Sequence, residues 1–239
     1  MKKVLLSVVT LGLLTSCVNF HYSRTTSAQA EENRQLKGFE RIELLGSLDV
    51  KYTQADTFSV VVMAPPKVID DVETRLDGSK LVVGMKGSNK FLNFGVSDSK
   101  DVTICVTSPD FLGVELKGSG DFKCEQLLDT DNLDITLNGS GDIKFDDIIC
   151  DQVNVSLVGS GDVELKHVKT LRSSLNLVGS GDVKVHFDES GLVDSNLTGS
   201  GDITLSGNVK NFKSNVRGSG DMHTDRLRIS NEKTEINEK

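Results

Sequence analysis

Apolar and polar residues alternate along much of the chain after residue 111. The clearest alternate apolar positions are Leu112, Val114 and Leu116; Leu133, Ile135 and Leu137; and Val153, Val155 and Leu157. The residues between them are mostly polar. Because successive side chains of a β-strand point to opposite faces, this alternation predicts strands with one buried face.

Each alternating stretch ends in the tetrapeptide Gly-Ser-Gly-Asp, which occurs six times at spacings of 19 to 21 residues. A second apolar pair follows it, as at Phe122 and Cys124, and predicts another short strand. A third apolar position follows in the first units, at Leu127, Ile148 and Val168. One such unit cannot bury its own apolar face, whereas stacked units can. The period therefore predicts an all-β fold, a right-handed parallel β-helix or β-solenoid with coils of about 20 residues.

The glycines and aspartates of the tetrapeptide are predicted to form a structural corner in every coil. They are Gly118, Gly120, Asp121, Gly139, Gly141, Asp142, Gly159, Gly161, Asp162, Gly179, Gly181, Asp182, Gly199, Gly201, Asp202, Gly218, Gly220 and Asp221. Both glycines are expected to use positive φ, and each aspartate to accept hydrogen bonds from N–H groups of its own corner. A row of Ca²⁺ ions on the aspartates is the alternative. We predict a scaffold without metal or cofactor.

Altered copies of the corner occur upstream, at Gly46-Ser47-Leu48-Asp49 and Asp98-Ser99-Lys100-Asp101. Between them lie two strand-like runs, a Pro65-Pro66 break, a short stretch compatible with helix and a turn at Asp77-Gly78. Terminal units of a solenoid must protect an unpaired edge. The segment is therefore predicted to be an irregular N-terminal β cap.

The N-terminal seventeen residues predict lipid attachment. An apolar run from Val4 to Leu14 follows two lysines and is too short to span a bilayer as a helix. Leu14-Thr15-Ser16-Cys17 resembles the bacterial lipobox, which implies cleavage before Cys17 and acylation of that cysteine. An ordinary secretory signal is the alternative. The predicted organisation is a signal peptide (1–16), a polar tether (17–37), a folded domain (38–229) and a polar tail (230–239).

The amino-acid composition argues against some classes of binding partner. The formal net charge is −8, with 27 Lys and Arg against 35 Asp and Glu, which argues against a nucleic-acid partner. With no Trp, two Tyr and ten Phe, the chain has few rings on which sugars or bases could stack. A catalytic role for the repeated serines would require a base beside each of them, and there are four histidines in all.

Three further sets of residues are given structural roles. Histidines of the repeat region occupy different positions in their coils and are expected neither to form a column nor to have metal-ligand spacing: His167, His186 and His223. Asparagines three residues before a corner are expected to stack as an amide ladder: Asn176, Asn196 and Asn215. The cysteines other than Cys17 are expected to be free thiols, with Cys124 inward and Cys105 outward: Cys105, Cys124 and Cys150.

The order of segments resembles a known family. GFERIELLGSLDVKYTQADTFSVVV is followed by APPKVIDDVETRLDGSKLVV and then by serial Gly-Ser-Gly-Asp coils. This order is similar to the "putative auto-transporter adhesin, head GIN domain" family, common among lipoproteins of Bacteroidetes, over Gly38 to Leu227. The resemblance implies a β-helical envelope protein and brings no catalytic residues.

Two classes of function remain open at this point. The favoured one is a non-enzymatic cell-envelope lipoprotein, an adhesin or interaction scaffold held in the membrane, in particular the outer membrane, by its lipid. Its expected partners are a surface glycan, another protein, or a second copy through the end coils. The alternative is a glycan-processing β-helix enzyme, a polysaccharide lyase or hydrolase. Such an enzyme needs paired carboxylates in a groove built by irregular loops, and no long insertion separates the corners.

Overall fold

The computed structural model describes residues 29–87 and 102–230, and most of these residues lie in β-strands. The strands are β1 (Ala30–Asn33), β2 (Arg41–Gly46), β3 (Asp49–Gln54), β4 (Ser59–Ala64), β5 (Val72–Asp77), β6 (Lys80–Met85), β7 (Thr103–Ser108), β8 (Gly113–Gly118), β9 (Asp121–Gly139), β10 (Asp142–Gly159), β11 (Asp162–Gly179), β12 (Asp182–Gly199), β13 (Asp202–Gly218) and β14 (Met222–Ile229). A 3₁₀ turn, Ile69–Asp71, precedes β5. Within these ranges no helix has the length and apolar character needed to cross a bilayer.

Strands β9 to β13 are the regular coils of a β-solenoid. Each pairs in parallel with the next, so that Asp142 lies beside Asp162 and Gly159 beside Gly179. The register therefore advances by one repeat per coil, and the predicted solenoid with coils of about 20 residues is confirmed.

Each long strand bends around the core. In β10 the inward, buried residues form three groups: Ile143 and Phe145; Ile148 and Cys150; and Val153, Val155 and Leu157. Two adjacent outward residues separate one group from the next, at 146–147 and at 151–152. These interruptions of the alternation are bends of the coil, and equivalent side chains of successive coils merge into one apolar core.

At the N-terminal end of the solenoid, the order of the strands in the stack differs from their order in the sequence. Strands β2 and β3 form a coil that pairs on one side with β8 and β9 and on the other with β6 and β7. Strands β4 and β5 then pair antiparallel with β7 and β6, and β1 pairs antiparallel with β4. These antiparallel strands end the parallel stack, which confirms the irregular N-terminal β cap. The 98–101 copy of the corner lies outside the described residues.

An aromatic cluster joins this cap to the regular coils. The ring of Phe122 stacks at 5.8 Å from Phe111 and lies 5.4 Å from Phe145, while Tyr52 stacks on Phe111 at 4.1 Å. All four side chains are fully buried. The alternation had assigned Leu112 to the interior, but Leu112 is partly exposed because the chain enters β8 from a loop that turns Phe111 inward.

Two sequence predictions are wrong in detail. Leu127 is 51% exposed and Leu128 is buried in its place, paired with Ile148. The cause is an extra residue between Cys124 and Leu128, which accounts for the 21-residue spacing of that unit. In addition, part of the predicted 17–37 tether is a strand, β1, because Ala30–Asn33 pairs antiparallel with the edge of β4. The signal peptide, Cys17 and residues 231–239 lie outside the described ranges.

Candidate functional site

The corners form one continuous column of backbone hydrogen bonds. The serine N–H of each Gly-Ser-Gly-Asp donates to the carbonyl of the first glycine in the preceding coil, as from Ser160 to Gly139 at 2.9 Å and from Ser180 to Gly159 at 2.9 Å. The column begins at the altered upstream corner, where Ser119 donates to Gly46 at 2.8 Å. The serine side chains are exposed, and the second glycine of each corner is buried.

Neither glycine of a corner has room for a Cβ, because a carbonyl oxygen of the preceding coil lies against each of them, and the first glycine also has an unusual backbone conformation. The first has positive φ, with 140° at Gly159. The second, such as Gly161, is not among the positive-φ residues, which corrects the expectation that both would be. A Cβ at Gly161 would nevertheless overlap the carbonyl oxygen of Gly141 in the preceding coil. The close approach of successive coils, rather than φ, therefore requires glycine at the second position.

The aspartates form a ladder between coils. The N–H of Asp182 donates to the carboxylate of Asp162 at 3.1 Å, and Asp202 and Asp221 repeat the arrangement at 3.3 and 3.0 Å. The same bond joins Asp121 to Asp49 at 3.0 Å. These four carboxylates thus accept from the following coil and not from their own corners, because in-register stacking brings the next aspartate's N–H to them. The ladder is interrupted at Asp162, whose N–H donates to the Gly141 carbonyl at 3.2 Å instead. Burial raises the pKa of Asp49 despite this bond.

Lysines two residues further along reduce the repulsion within the aspartate column. The ammonium groups of Lys123, Lys144 and Lys184 lie 3.4 Å from the carboxylates of their own coils, Asp121, Asp142 and Asp182. These pairs are about one-third to one-half exposed. Backbone N–H groups and lysine side chains therefore provide partners for carboxylates of this column without a bound metal ion.

A polar groove crosses the strand face that precedes the corners. It has a volume of about 390 Å³ and a row of hydroxyl, amide and carboxylate side chains from four successive coils: Glu115, Asp134, Thr136, Asn154, Ser156 and Asn176. Arg41 and Lys80 lie at its N-terminal end. The sequence analysis did not identify this groove, because β2 and β6 enter the stack from distant parts of the chain.

The carboxylates at the N-terminal end of the groove are ion-paired. Arg41 Nη2 lies 2.9 Å from Asp134 Oδ2, and Glu115 contacts Lys117 at 2.7 Å and Lys80 at 3.3 Å. Burial acts to raise the pKa of Glu115, but hydrogen bonds and charges from the two lysines outweigh it and leave the pKa below its usual value. A general acid needs a raised pKa. This end of the groove is therefore suited to holding charge rather than to transferring protons.

The asparagine register is only partly an amide ladder. Asn196 Nδ2 donates to Asn176 Oδ1 at 3.2 Å, and Asn215 stands opposite Asn196 in the pairing. The same register, three residues before the corner, contains Thr136 and Ser156 in the groove. Had the sequence register been extended to these hydroxyl residues, it would have predicted one long polar row.

The histidines lie closer together than their positions in the repeat suggested. The rings of His167 and His186 are 5.6 Å apart in adjacent coils. The expectation that they form no column is wrong for this pair, because β12 pairs with β11 through a register shift that absorbs their one-residue offset. His223 is elsewhere, with its Nε2 3.7 Å from Asp202.

Cys124 and Cys150 are buried free thiols, and Cys105 is half-buried. Burial raises the pKa of Cys124 to about 11. A thiol with such a raised pKa carries little thiolate near neutral pH and is a weak nucleophile. Its inward position and the outward position of Cys105 are those predicted from register.

With this geometry in place, comparison with known proteins identifies the family. The family model described as "Putative auto-transporter adhesin, head GIN domain" matches residues 38–166 and 166–237. The chain belongs to this family. No curated protein sequence matches it significantly.

Solved structures share the fold seen here. A "putative adhesin" of Bacteroides fragilis has a TM-score of 0.66 at 23% identity and covers 83% of this chain and 97% of its own. A "putative adhesin" of Parabacteroides distasonis has a TM-score of 0.57 at 16% identity, covering 82% and 96%. A "putative lipid binding protein" of the same species has a TM-score of 0.54 at 20% identity, also covering 82% and 96%. At these identities the likeness is one of fold.

The aspartate ladder of this head GIN protein leads to a prediction. Asp162→Asn is expected to lower the free energy of unfolding by less than about 1 kcal/mol, because the amide oxygen still accepts the Asp182 N–H.

Calcium at about 1 mM, added to metal-free protein, is expected to raise Tm by less than about 3 °C, whereas one Ca²⁺ site at a hundred times its Kd would add about 2.7 kcal/mol. Thermal and urea unfolding measure both. A large calcium-dependent stabilisation lost in Asp162→Asn would contradict the ladder.

Proposed function

We propose that this head GIN protein is a non-enzymatic adhesion protein of the cell envelope, and that its polar groove binds an extended polar partner, a surface glycan or another protein. The observation that carries the proposal is the groove itself. Hydroxyl and amide side chains recur there once per coil, at the strand spacing of about 4.8 Å. A rigid row of this kind matches a polymer with regularly repeated hydrogen-bonding groups.

Hydrogen bonds rather than ring stacking would hold the partner. The aromatic side chains nearest this end of the solenoid, Tyr52, Phe111 and Phe122, are buried in the core. The groove instead offers amide donors and acceptors, as at Asn154, whose Nδ2 already donates to Asp134 at 2.9 Å. Such contacts are individually weak, so affinity would depend on contacts with several coils at once.

Binding without chemistry is also the function that the rest of the solenoid favours. The coils from β9 to β13 are nearly uniform and have no long loop to build a second wall over the groove. Glu115 and Asp134 are each paired with cations. A lyase or hydrolase would need one carboxyl group kept protonated near neutral pH, and the lysines beside Glu115 oppose this there by lowering its pKa.

A glycan and matrix-protein array, combined with an activity screen on acidic polysaccharides, tests the proposal. Binding to at least one polar polymer without turnover is expected. Asn154→Ala and Asn176→Ala should weaken that binding, and Asn132→Ala, an exposed asparagine outside the groove, is the matched control. Equal binding by the groove variants and the control would contradict the assignment of the groove.

The lipobox-like sequence ending in Cys17 suggests how the protein is held. Adhesins act at the cell surface or envelope, and we propose that acyl chains on Cys17 anchor the folded domain there, in the outer membrane. Two acyl chains give stable anchoring, whereas one is marginal, at about 0.8 kcal/mol per buried methylene.

Cys17→Ser is expected to move the protein from the membrane to the soluble fraction without unfolding it, because Cys17 precedes the described domain. Cell fractionation measures the distribution, and metabolic labelling with a fatty-acid analogue should mark the wild type alone. Retention of the unlabelled variant in membranes would rule out the lipid anchor.

A further inference from the structure

Three polar side chains outside the groove converge on the solvent side of β11 and β12. The Nδ1 of His167 lies 3.1 Å from Asp188 Oδ2, and the Nε2 of His186 lies 3.3 Å from Asp188 Oδ1. One ligand atom from each of the three residues lies within 4.8 Å of the other two. The side chains are about half exposed, so the space in front of them is open to solvent.

The backbone of β12 is irregular where it creates this cluster. Relative to β11, β12 lacks one residue before Phe187 and has one more after it. The added residue falls at Asp188 and Glu189, where the pairing with β13 also shifts. Glu189 has φ 55°, the one positive value among non-glycine residues of the described ranges. Bulges that re-aim a side chain and strained residues are both concentrated at functional sites.

The orientation of the His186 ring is fixed from its other side. Its Nδ1 lies 2.9 Å from Ser206 Oγ in the next coil. When Nδ1–H donates to this hydroxyl, the lone pair of Nε2 faces Asp188 and is free to bind a ligand. A hydrogen bond of this kind to the outer nitrogen is usual for a metal-bound histidine.

The spacing of the cluster suits a small divalent ion. Two ligands of a tetrahedral zinc ion, each at about 2.0 to 2.1 Å from the metal, are separated by about 3.3 Å. The two nitrogen-to-oxygen distances, 3.1 and 3.3 Å, are close to this length, and each is measured to a different oxygen of the Asp188 carboxylate. Imidazole and carboxylate ligands favour zinc, copper or nickel, whereas Ca²⁺ and Mg²⁺ prefer oxygen alone.

Charges around the cluster are compatible with a bound cation. Asp147 stands opposite His167 in β10 and adds a second carboxylate nearby. Lys166 is held away by Asp146, with its Nζ in contact with that carboxylate at 2.6 Å. Arg226 and Arg228 line a pocket with His186 and Ser206, but they belong to β14, two strands beyond β12. Exposed ion pairs contribute little to stability, so folding alone gives little reason for this arrangement.

We propose that His167, His186 and Asp188 form a binding site for one first-row divalent transition-metal ion, with Zn²⁺ or Cu²⁺ as the best fit. Three protein ligands leave at least one coordination position open toward solvent, which water or a donor group of another molecule can occupy. The site is independent of the polar groove, which lies on another face of the coil.

Zinc binding to metal-free full-length protein, measured by titration calorimetry and by equilibrium dialysis, tests the site. One ion per chain is expected to bind, and His186→Ala and Asp188→Asn should each weaken binding at least about tenfold. His223→Ala is the comparison variant, since His223 is about as exposed and forms a second, separate group with Asp202 and Asp221; because the site is assigned to His167, His186 and Asp188, this variant should bind zinc like the wild type. These exposed substitutions should leave Tm of the metal-free protein unchanged within about 3 °C.

Cobalt(II) in place of zinc identifies the ligand atoms. Its absorption spectrum should show nitrogen and oxygen coordination without a thiolate charge-transfer band, which excludes Cys105 as the source of binding. No stoichiometric zinc binding by the wild type, equal binding by His186→Ala, or a thiolate band would each overturn the proposal.

Discussion

Replacing Gly161 by valine is expected to lower the free energy of unfolding by about 3 kcal/mol or more. The new Cβ would overlap the carbonyl oxygen of Gly141, and that oxygen belongs to the backbone and cannot move aside as a side chain could. Successive coils would have to separate locally, which disrupts their pairing. Urea unfolding followed by circular dichroism measures the loss.

Two matched substitutions isolate the cause. Ser160→Ala changes an exposed side chain while keeping the Ser160 N–H bond to Gly139, so it should cost less than about 0.5 kcal/mol. Gly78→Ala tests positive φ without crowding, since φ is 61° and no atom would contact the added methyl group; it should cost about 1 to 2 kcal/mol. A Ser160→Ala loss as large as that of Gly161→Val would contradict the stacked-corner assignment.

Phe122→Ala is expected to cost about 3 to 5 kcal/mol, because it empties the centre of the aromatic cluster. Phe122 is fully buried and lies between Phe111 at 5.8 Å and Phe145 at 5.4 Å. It is also one of the three β9 residues that pair with β3 of the upstream coil, where it lies opposite Val50. The loss should therefore appear as weakened attachment of the N-terminal cap, measured by hydrogen exchange of β3 as well as by urea unfolding.

Leu127→Ala provides the control for Phe122→Ala. Leu127 lies in the same strand but is 51% exposed, so its truncation should change the free energy of unfolding by less than about 0.5 kcal/mol. A cost for Leu127 similar to that of Phe122 would mean that the interior assigned here to β9 is wrong.

The regular coils were predictable because the sequence period of about 20 residues equals the length of chain in one coil. A repeat of about 20 residues with a glycine corner leaves one way to superimpose the inward side chains, as the pairing of Ile143 with Val163 shows. The prediction failed where a coil gained or lost a residue. Leu127 was predicted to point inward because the spacing of the corners does not show where the extra residue of that coil lies. The proximity of His167 and His186 was not predicted because the spacing of the corners does not reveal the register shift in β12.

Contacts between segments that are distant in the sequence could not be predicted from the repeat pattern. The coil of β2 and β3 is inserted in space between β7 and β9, so Gly46 supports Ser119 across a long stretch of sequence. The polar groove depends on this insertion, since Arg41 comes from β2 and pairs with Asp134 of β9. The partners of the aspartate carboxylates were also not predictable from the sequence, because a turn motif alone favours bonds within its own corner.

The most direct test of the proposed function follows one bound polymer over time. A polysaccharide that binds the wild type on the array is incubated with the protein and analysed by size-exclusion chromatography with light scattering, with Asn154→Ala as the binding control. The account predicts a complex with the wild type, a weaker complex with the variant, and a polymer of unchanged length after prolonged incubation. Shortened chains, or new unsaturated or reducing ends formed by the wild type, would contradict a non-enzymatic adhesion protein.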